Sequence, residues 1–282
     1  MNLKKIVFGN YTQEELDYEY DNVKKFKDFD FAAYLEQLAE KNKSALKKYE
    51  QVLHKNLKFG AHEDETLDLF VVNPNGPTHV FFHGGYWRML HKDDFPYLAH
   101  GFLPNGHNLA VVNYSLIPKV RMAELVNQCR ASIQWLMDNA GGLSLDPAQI
   151  SVSGHSAGGH LAAMMCTYEF SYPLTTVCAL SGIFDLSPIQ KCFLNEVLDL
   201  SNQEVEEFSP VLREPIHKGP LLLLTGEKEG PEYARQVNDL ATAWSNYRET
   251  PKTMFAKEHD HFTLRADLGV PSSEITRHTL FL

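Results

Sequence analysis

Two patterns of apolar positions divide the chain. From Phe31 to Leu57, the residues Phe31, Tyr34, Leu35, Leu38, Leu46, Tyr49, Val52 and Leu53 recur at helical spacing, with an interruption around Asn42 to Ser44. That stripe predicts one or two amphipathic helices packed onto the rest of the molecule. From residue 67 the pattern becomes short apolar runs, at 67–72, 79–83, 108–114, 149–153, 175–181, 220–225 and 252–256. The later runs are apolar throughout instead of alternating, as expected of strands covered by helices on both faces of a parallel sheet. Stretches 120–138 and 232–247 read as helices between them. The expectation is an α/β fold with a mostly parallel central sheet, one domain over 1–282, and a helical segment at 1–60 that braces the scaffold or caps a site.

Residues 185–219 break the alternation with prolines at 188, 210 and 215 and one helix-like stretch near 191–200. A 35-residue insertion is longer than ordinary connections, so it should carry its own helices and serve as a lid.

The chemistry centres on 149–168, QISVSGHSAGGHLAAMMCTY, which reads as a strand running into a helix with Ser156 at the join. Gly154-His155-Ser156-Ala157-Gly158 is a G-x-S-x-G pattern, in which glycines permit the sharp turn that holds a serine hydroxyl clear of the sheet. The competing interpretation is a tight turn whose serine only caps the helix. A reactive serine needs a base, and the base needs a carboxylate to fix its tautomer. The histidines just after the last strand are His259 and His261, with His278 near the tail; of the pair His261, followed by Phe262, is the better placed to drop over Ser156. An alternate His-Asp-His could instead share a metal, but no third ligand stands at a suitable spacing. After the run 220–225 the acids are Glu227, Glu229 and Glu232. Glu232 opens a helix and is explained by the helix dipole; Glu227 and Glu229 are not separated by spacing. The run 79–83 leads into Gly84-Gly85-Tyr86-Trp87, whose main-chain N–H groups, with that of Ala157, would form an oxyanion hole.

Composition adds exclusions. A net charge of -10 disfavours nucleic acid and anionic membrane as partners. Cys129, Cys166, Cys178 and Cys192 have no C-x-x-C spacing, so no disulfide framework and a reducing, cytoplasmic setting are expected. The apolar run near the N-terminus, Ile6 to Phe8, is too short for a signal peptide, and no 18-residue apolar run exists. Dinucleotide, P-loop, flavin and metal signatures are missing, so no cofactor is expected. The expected partner is a small-molecule substrate, and a homodimer is compatible with the sequence.

Together HGGYW at 83–87, NYSLIP at 113–118, GHSAGGHLA at 154–162 and the terminal HDHF resemble the hormone-sensitive-lipase-like branch of the α/β hydrolases. Within it, the HGG-x-W turn resembles kynurenine formamidase (arylformamidase) and its bacterial esterase relatives, over about residues 60–265. The resemblance implies an α/β-hydrolase fold with a small helical cap, Ser156 as nucleophile and His261 as base. The family's G-x-x-[DE]-x-P pattern lands on Glu229 between Gly226 and Pro231, and so chooses it over Glu227. Formamidases commonly carry Asp there. Asn113, where the wider branch often has Asp, reads as structural. The implied reaction is acyl transfer to water from N-formylkynurenine, an aryl formamide of tryptophan catabolism. Tyr86, Trp87 and Phe184 would line an aromatic wall, with His155 and His259 as further pocket residues. A short-chain carboxylesterase and a catalytically silent binding protein on the same fold are the alternatives.

Overall fold

A computed structural model of the chain describes residues 5–26 and 29–282; positions 1–4 and 27–28 of the expected N-terminal segment lie outside the described residues. A small antiparallel hairpin, β1 (Ile6–Phe8) and β2 (Tyr11–Thr12), leads into the helix Gln13–Tyr20. Thr12 and Glu15 close that helix's N-terminus as a reciprocal capping box. The stripe from Phe31 then forms one continuous helix, Phe31–Lys48, because Asn42 to Ser44 sit within a helix whose apolar face is already docked through Tyr34, Leu38 and Ala45.

The main sheet has eight strands: β3 (Leu53–Lys58), β4 (Thr66–Phe70), β5 (Thr78–Phe82), β6 (Asn108–Val112), β7 (Ile150–His155), β8 (Val177–Leu180), β9 (Leu221–Gly226) and β10 (Lys252–Ala256). Their order is β10-β9-β8-β7-β5-β6-β4-β3. All neighbours from β10 to β6 are parallel, whereas β4 runs antiparallel to both β6 and β3. Strands β4 to β9 are buried along their whole length, in keeping with helices on both faces of the sheet.

Strand β3 corrects the expectation of helix through Leu57. Its alternation of Leu53 and Leu57 with His54, Lys55, Asn56 and Lys58 suits a solvated edge strand. The register shifts between His54 and Leu57, where Asn56 takes φ 55°, which disguises the period of two.

The insertion folds as short helices Ser187–Lys191, Asn195–Leu198 and Asn202–Phe208, not as a single helix over 191–200. Asp199 at φ 45° stops the second, and Ser201 with Glu204 caps the third. All four cysteines are free and buried. No described helix is long and apolar enough to cross a membrane.

One buried ion pair anchors the loop after β5. Lys92 Nζ lies 2.8 Å from Asp68 Oδ1 of β4, with both side chains almost fully enclosed. Lys92→Met would leave the Asp68 charge enclosed with its cation gone, so urea denaturation is expected to show a loss of about 3–5 kcal/mol. The double change Lys92→Met with Asp68→Leu should recover most of it. A loss below about 1 kcal/mol in the single variant would contradict this role.

Candidate active site

Loops that leave the carboxyl ends of β5, β7 and β10 line one cavity, the position at which open α/β sheets bind ligands, and the loop after β9 sets Glu229 behind His261. Strand β7 ends at His155 and the helix Ala157–Met165 begins one residue later. Ser156 between them has φ 60° and ψ -122°, a conformation that costs a non-glycine residue roughly 1–3 kcal/mol. Two glycines make this turn feasible by close approach. A Cβ on Gly154 would strike the Gly158 carbonyl, and one on Gly158 would strike the Phe82 carbonyl. The backbone locks the residue from both sides: Ser156 N donates to Leu180 O at 2.8 Å, and His160 N donates to Ser156 O at 3.1 Å. The Ser156 side chain makes no capping hydrogen bond, so the helix does not require the hydroxyl.

The helix His261–Asp267 follows β10, and its N-terminus is capped by Asp260, which accepts from Phe262 N and Thr263 N. This puts His261 in the first helical turn, with Nδ1 2.6 Å from Glu229 Oε2. Glu229 is fully buried. Its other oxygen, Oε1, accepts from Ser181 Oγ at 2.6 Å, Thr225 Oγ1 at 3.0 Å and Gly226 N at 2.7 Å. A carboxylate so furnished is fixed in place and has one oxygen free to accept the imidazole N–H. Glu227, two residues earlier, is exposed, so geometry separates the two acids that spacing could not. Glu232 is more than a dipole partner: it is buried, accepts from Tyr20 Oη at 2.7 Å and pairs with Arg235.

Ser156 and His261 border the same cavity of about 250 Å³ without a direct hydrogen bond between them. Such contacts are often long before a ligand arrives. Gly84, Gly85, Tyr86 and His155 also line it. Gly85, Tyr86 and Trp87 take φ of 107°, 49° and 56°, a run of left-handed conformations that turns successive amides the same way. The N–H groups of Gly84, Gly85, Tyr86 and Ala157 have no acceptor among the described residues. His83 steadies the loop, since its ring stacks on Tyr114 at 4.3 Å and its Nδ1 donates to Gly84 O at 2.8 Å.

His155 packs its ring 4.4 Å from that of His261. Burial, reinforced by His261 and Arg265, pushes its pKa well below the ordinary histidine value, so it stays neutral beside its neighbour.

Three residues expected at the pocket lie elsewhere. Trp87 is fully buried, its indole N–H donating to His160 Nδ1 at 3.2 Å, and so ties the Gly-Gly loop to the helix that follows Ser156. Phe184 is enclosed in the core, with its main-chain N–H donating to Gln236 Oε1 at 2.7 Å. His259 Nε2 meets Asp267 Oδ2 at 3.0 Å and its Nδ1 donates to Lys257 O, which turns the ring away from the cavity. Asn113 fixes loops, its amide donating to Asp64 O and its oxygen accepting from Lys92 N.

The cavity's outer wall comes from both irregular segments. The N-terminal segment supplies Tyr20, Asp21, Asn22, Val23, Phe31 and Leu35, and the insertion supplies Phe193 and Leu194. Tyr86 Oη donates to Tyr20 O at 2.7 Å, and Lys25 Nζ donates to Glu229 O at 2.9 Å. Ser181 and Thr225, which hold Glu229, and Arg88 and Arg265, which border the cavity, were not singled out by any sequence motif. Of these only Arg265 carried a signal, standing one helical turn beyond His261.

The chain has an α/β-hydrolase fold and is an enzyme of the serine-hydrolase type, and it resembles arylformamidases and bacterial esterases of the hormone-sensitive-lipase-like branch. The BD-FAE family model matches residues 68–203. Kynurenine formamidase of Danio rerio is 29% identical over 219 residues, covering 73% of this chain and 73% of that one. Carboxylesterase NlhH of Mycobacterium tuberculosis is 33% identical over 96 residues, 34% of this chain and 30% of that one. Among solved structures, a protein of Silicibacter sp. tm1040 described as a candidate thioesterase superposes with a TM-score of 0.82 at 27% identity, covering 94% of this chain and 99% of the other.

Proposed function

We propose that the protein hydrolyses a small aryl formamide of the N-formylkynurenine kind through Ser156, His261 and Glu229. The observation that carries this reading is the 2.6 Å contact between His261 Nδ1 and the fully buried Glu229. It leaves Nε2 as the basic nitrogen on the cavity side, where Ser156 stands. His261 takes the Ser156 proton as Oγ attacks the carbonyl carbon. The N–H groups among Gly84, Gly85, Tyr86 and Ala157 hold the resulting oxyanion. His261 then protonates the leaving amine, and the formyl-enzyme is released by water that gives its proton to the same nitrogen.

The formamide preference is supported by the formamidase relative, which aligns along most of the chain. A short-chain carboxylesterase is the second reading, favoured by the esterase relative and by a cavity smaller than the roughly 300–1,000 Å³ of most ligand sites. The experiment compares kcat/KM for N-formyl-L-kynurenine and p-nitrophenyl acetate. A formamide value of about 10⁴ M⁻¹s⁻¹ or more is expected. Turnover of the ester alone would overturn the formamidase reading and leave the esterase one.

A further inference from the structure

Two arginines border the cavity, and neither has an ion-pair partner among the described residues. Arg265 lies four positions after His261 on the helix His261–Asp267, so the two side chains leave the same face one turn apart. It is 8% exposed. Its Nε and Nη2 donate to one neutral acceptor, the Tyr34 hydroxyl, at 2.9 and 2.7 Å. The guanidinium lies over the rings of Tyr34 and Phe95, 5.3 and 5.4 Å from their centroids. Asp94 is near enough for its field to favour the cation, but it makes no ion pair with it. Arg88 reaches the cavity from the loop that carries Gly84 and Gly85, and its Nε is buried without an acceptor. Among the described lining residues the carboxylate is Asp21, and Lys24 engages it through its main-chain N–H at 3.0 Å and its Nζ at 3.3 Å.

An enclosed cation without a counter-ion is unfavourable, and an anionic ligand relieves that cost. The flat guanidinium fork matches a carboxylate through paired hydrogen bonds. We propose that Arg265 and Arg88 bind a carboxylate of the substrate, so that the site takes small acyl compounds bearing an acid group. The orientation of that acid relative to the reacting carbonyl rests on the reading of Ser156 as nucleophile; the anion site itself does not. An amino-acid-derived formamide carries such a group, whereas a simple aryl ester lacks it.

The test is calorimetric titration of the full chain with benzoate and with its neutral isostere benzamide. Benzoate is expected to bind wild type at least about tenfold more tightly. The ratio should fall toward one in Arg88→Gln and Arg265→Gln and be partly kept in Arg265→Lys. Arg88 makes no side-chain hydrogen bond within the described residues, so its variant keeps the test open if loss of the Tyr34 contact unfolds Arg265→Gln. Ser156→Ala should retain the benzoate preference, which separates this site from the nucleophile assignment. Absence of benzoate binding, equal affinity for the two probes in wild type, or a preference unchanged in both glutamine variants would overturn the proposal.

Discussion

Ser156→Ala is expected to lower kcat/KM by about 10⁴-fold or more on whichever formamide or ester wild type turns over. The same variant should melt within about 2 °C of wild type, a change of no more than about 1 kcal/mol for a chain of this size. The two expectations belong together. Ser156 Oγ makes no capping bond to the helix Ala157–Met165, and the turn is held by main-chain contacts to Leu180 and His160 together with the close approach of Gly154 and Gly158. Alanine preserves all of these and bears the same φ strain. A drop in rate accompanied by a large drop in melting temperature would mean that the hydroxyl supports the fold. Rates within tenfold of wild type would remove Ser156 from the chemistry.

Glu229→Gln is the second large effect, about 10³- to 10⁴-fold in kcat. The reason is a conflict of donors. In wild type, Oε1 accepts from Ser181, Thr225 and the Gly226 N–H, while Oε2 faces His261 Nδ1. A glutamine has one oxygen and one NH₂ group to offer these two sides. Its oxygen is claimed by the three donors, so the NH₂ is pressed against Nδ1. That arrangement favours the tautomer in which Nδ1 is unprotonated and Nε2 carries the hydrogen, and this form cannot take a proton from Ser156. Glu227→Gln, at an exposed position two residues away, should change kcat less than twofold. Equal losses in both variants, measured as kcat with folding checked by melting, would show that neither acid has the assigned role.

The parallel part of the sheet was legible because β5 to β9 are buried on both faces, so that β6, β8 and β9 read as nearly unbroken apolar runs and β7 carries only small polar residues between Ile150 and Val152. Edge strand β3 was hidden by the same logic reversed: it is half solvated, rich in lysine and shifted in register, so its Leu53 and Leu57 extended the preceding helical stripe. At the site, glycine-dependent features were visible because close backbone approach constrains residue type locally. What could not be read was the direction of side chains whose partners lie far along the chain. Trp87 looked like a pocket wall but donates to His160, 73 positions on, and Phe184 lies in the core beside Gln236. His259 looked like a pocket residue beside His261, but Asp267 claims its ring. Spacing left Glu227 and Glu229 open and only the family pattern chose Glu229; its physical basis is Ser181, 48 residues before Glu229 and brought to it by the β8–β9 pairing.

The measurement that bears most directly on the central claim is labelling of the purified protein with a fluorophosphonate, followed by mass spectrometry of the proteolytic peptides. Ser156 is expected to carry one stoichiometric adduct, with Ser156→Ala unlabelled and Glu229→Gln labelled far more slowly. An adduct at another residue, or a folded wild-type protein that does not react, would contradict the assignment of Ser156 as the nucleophile.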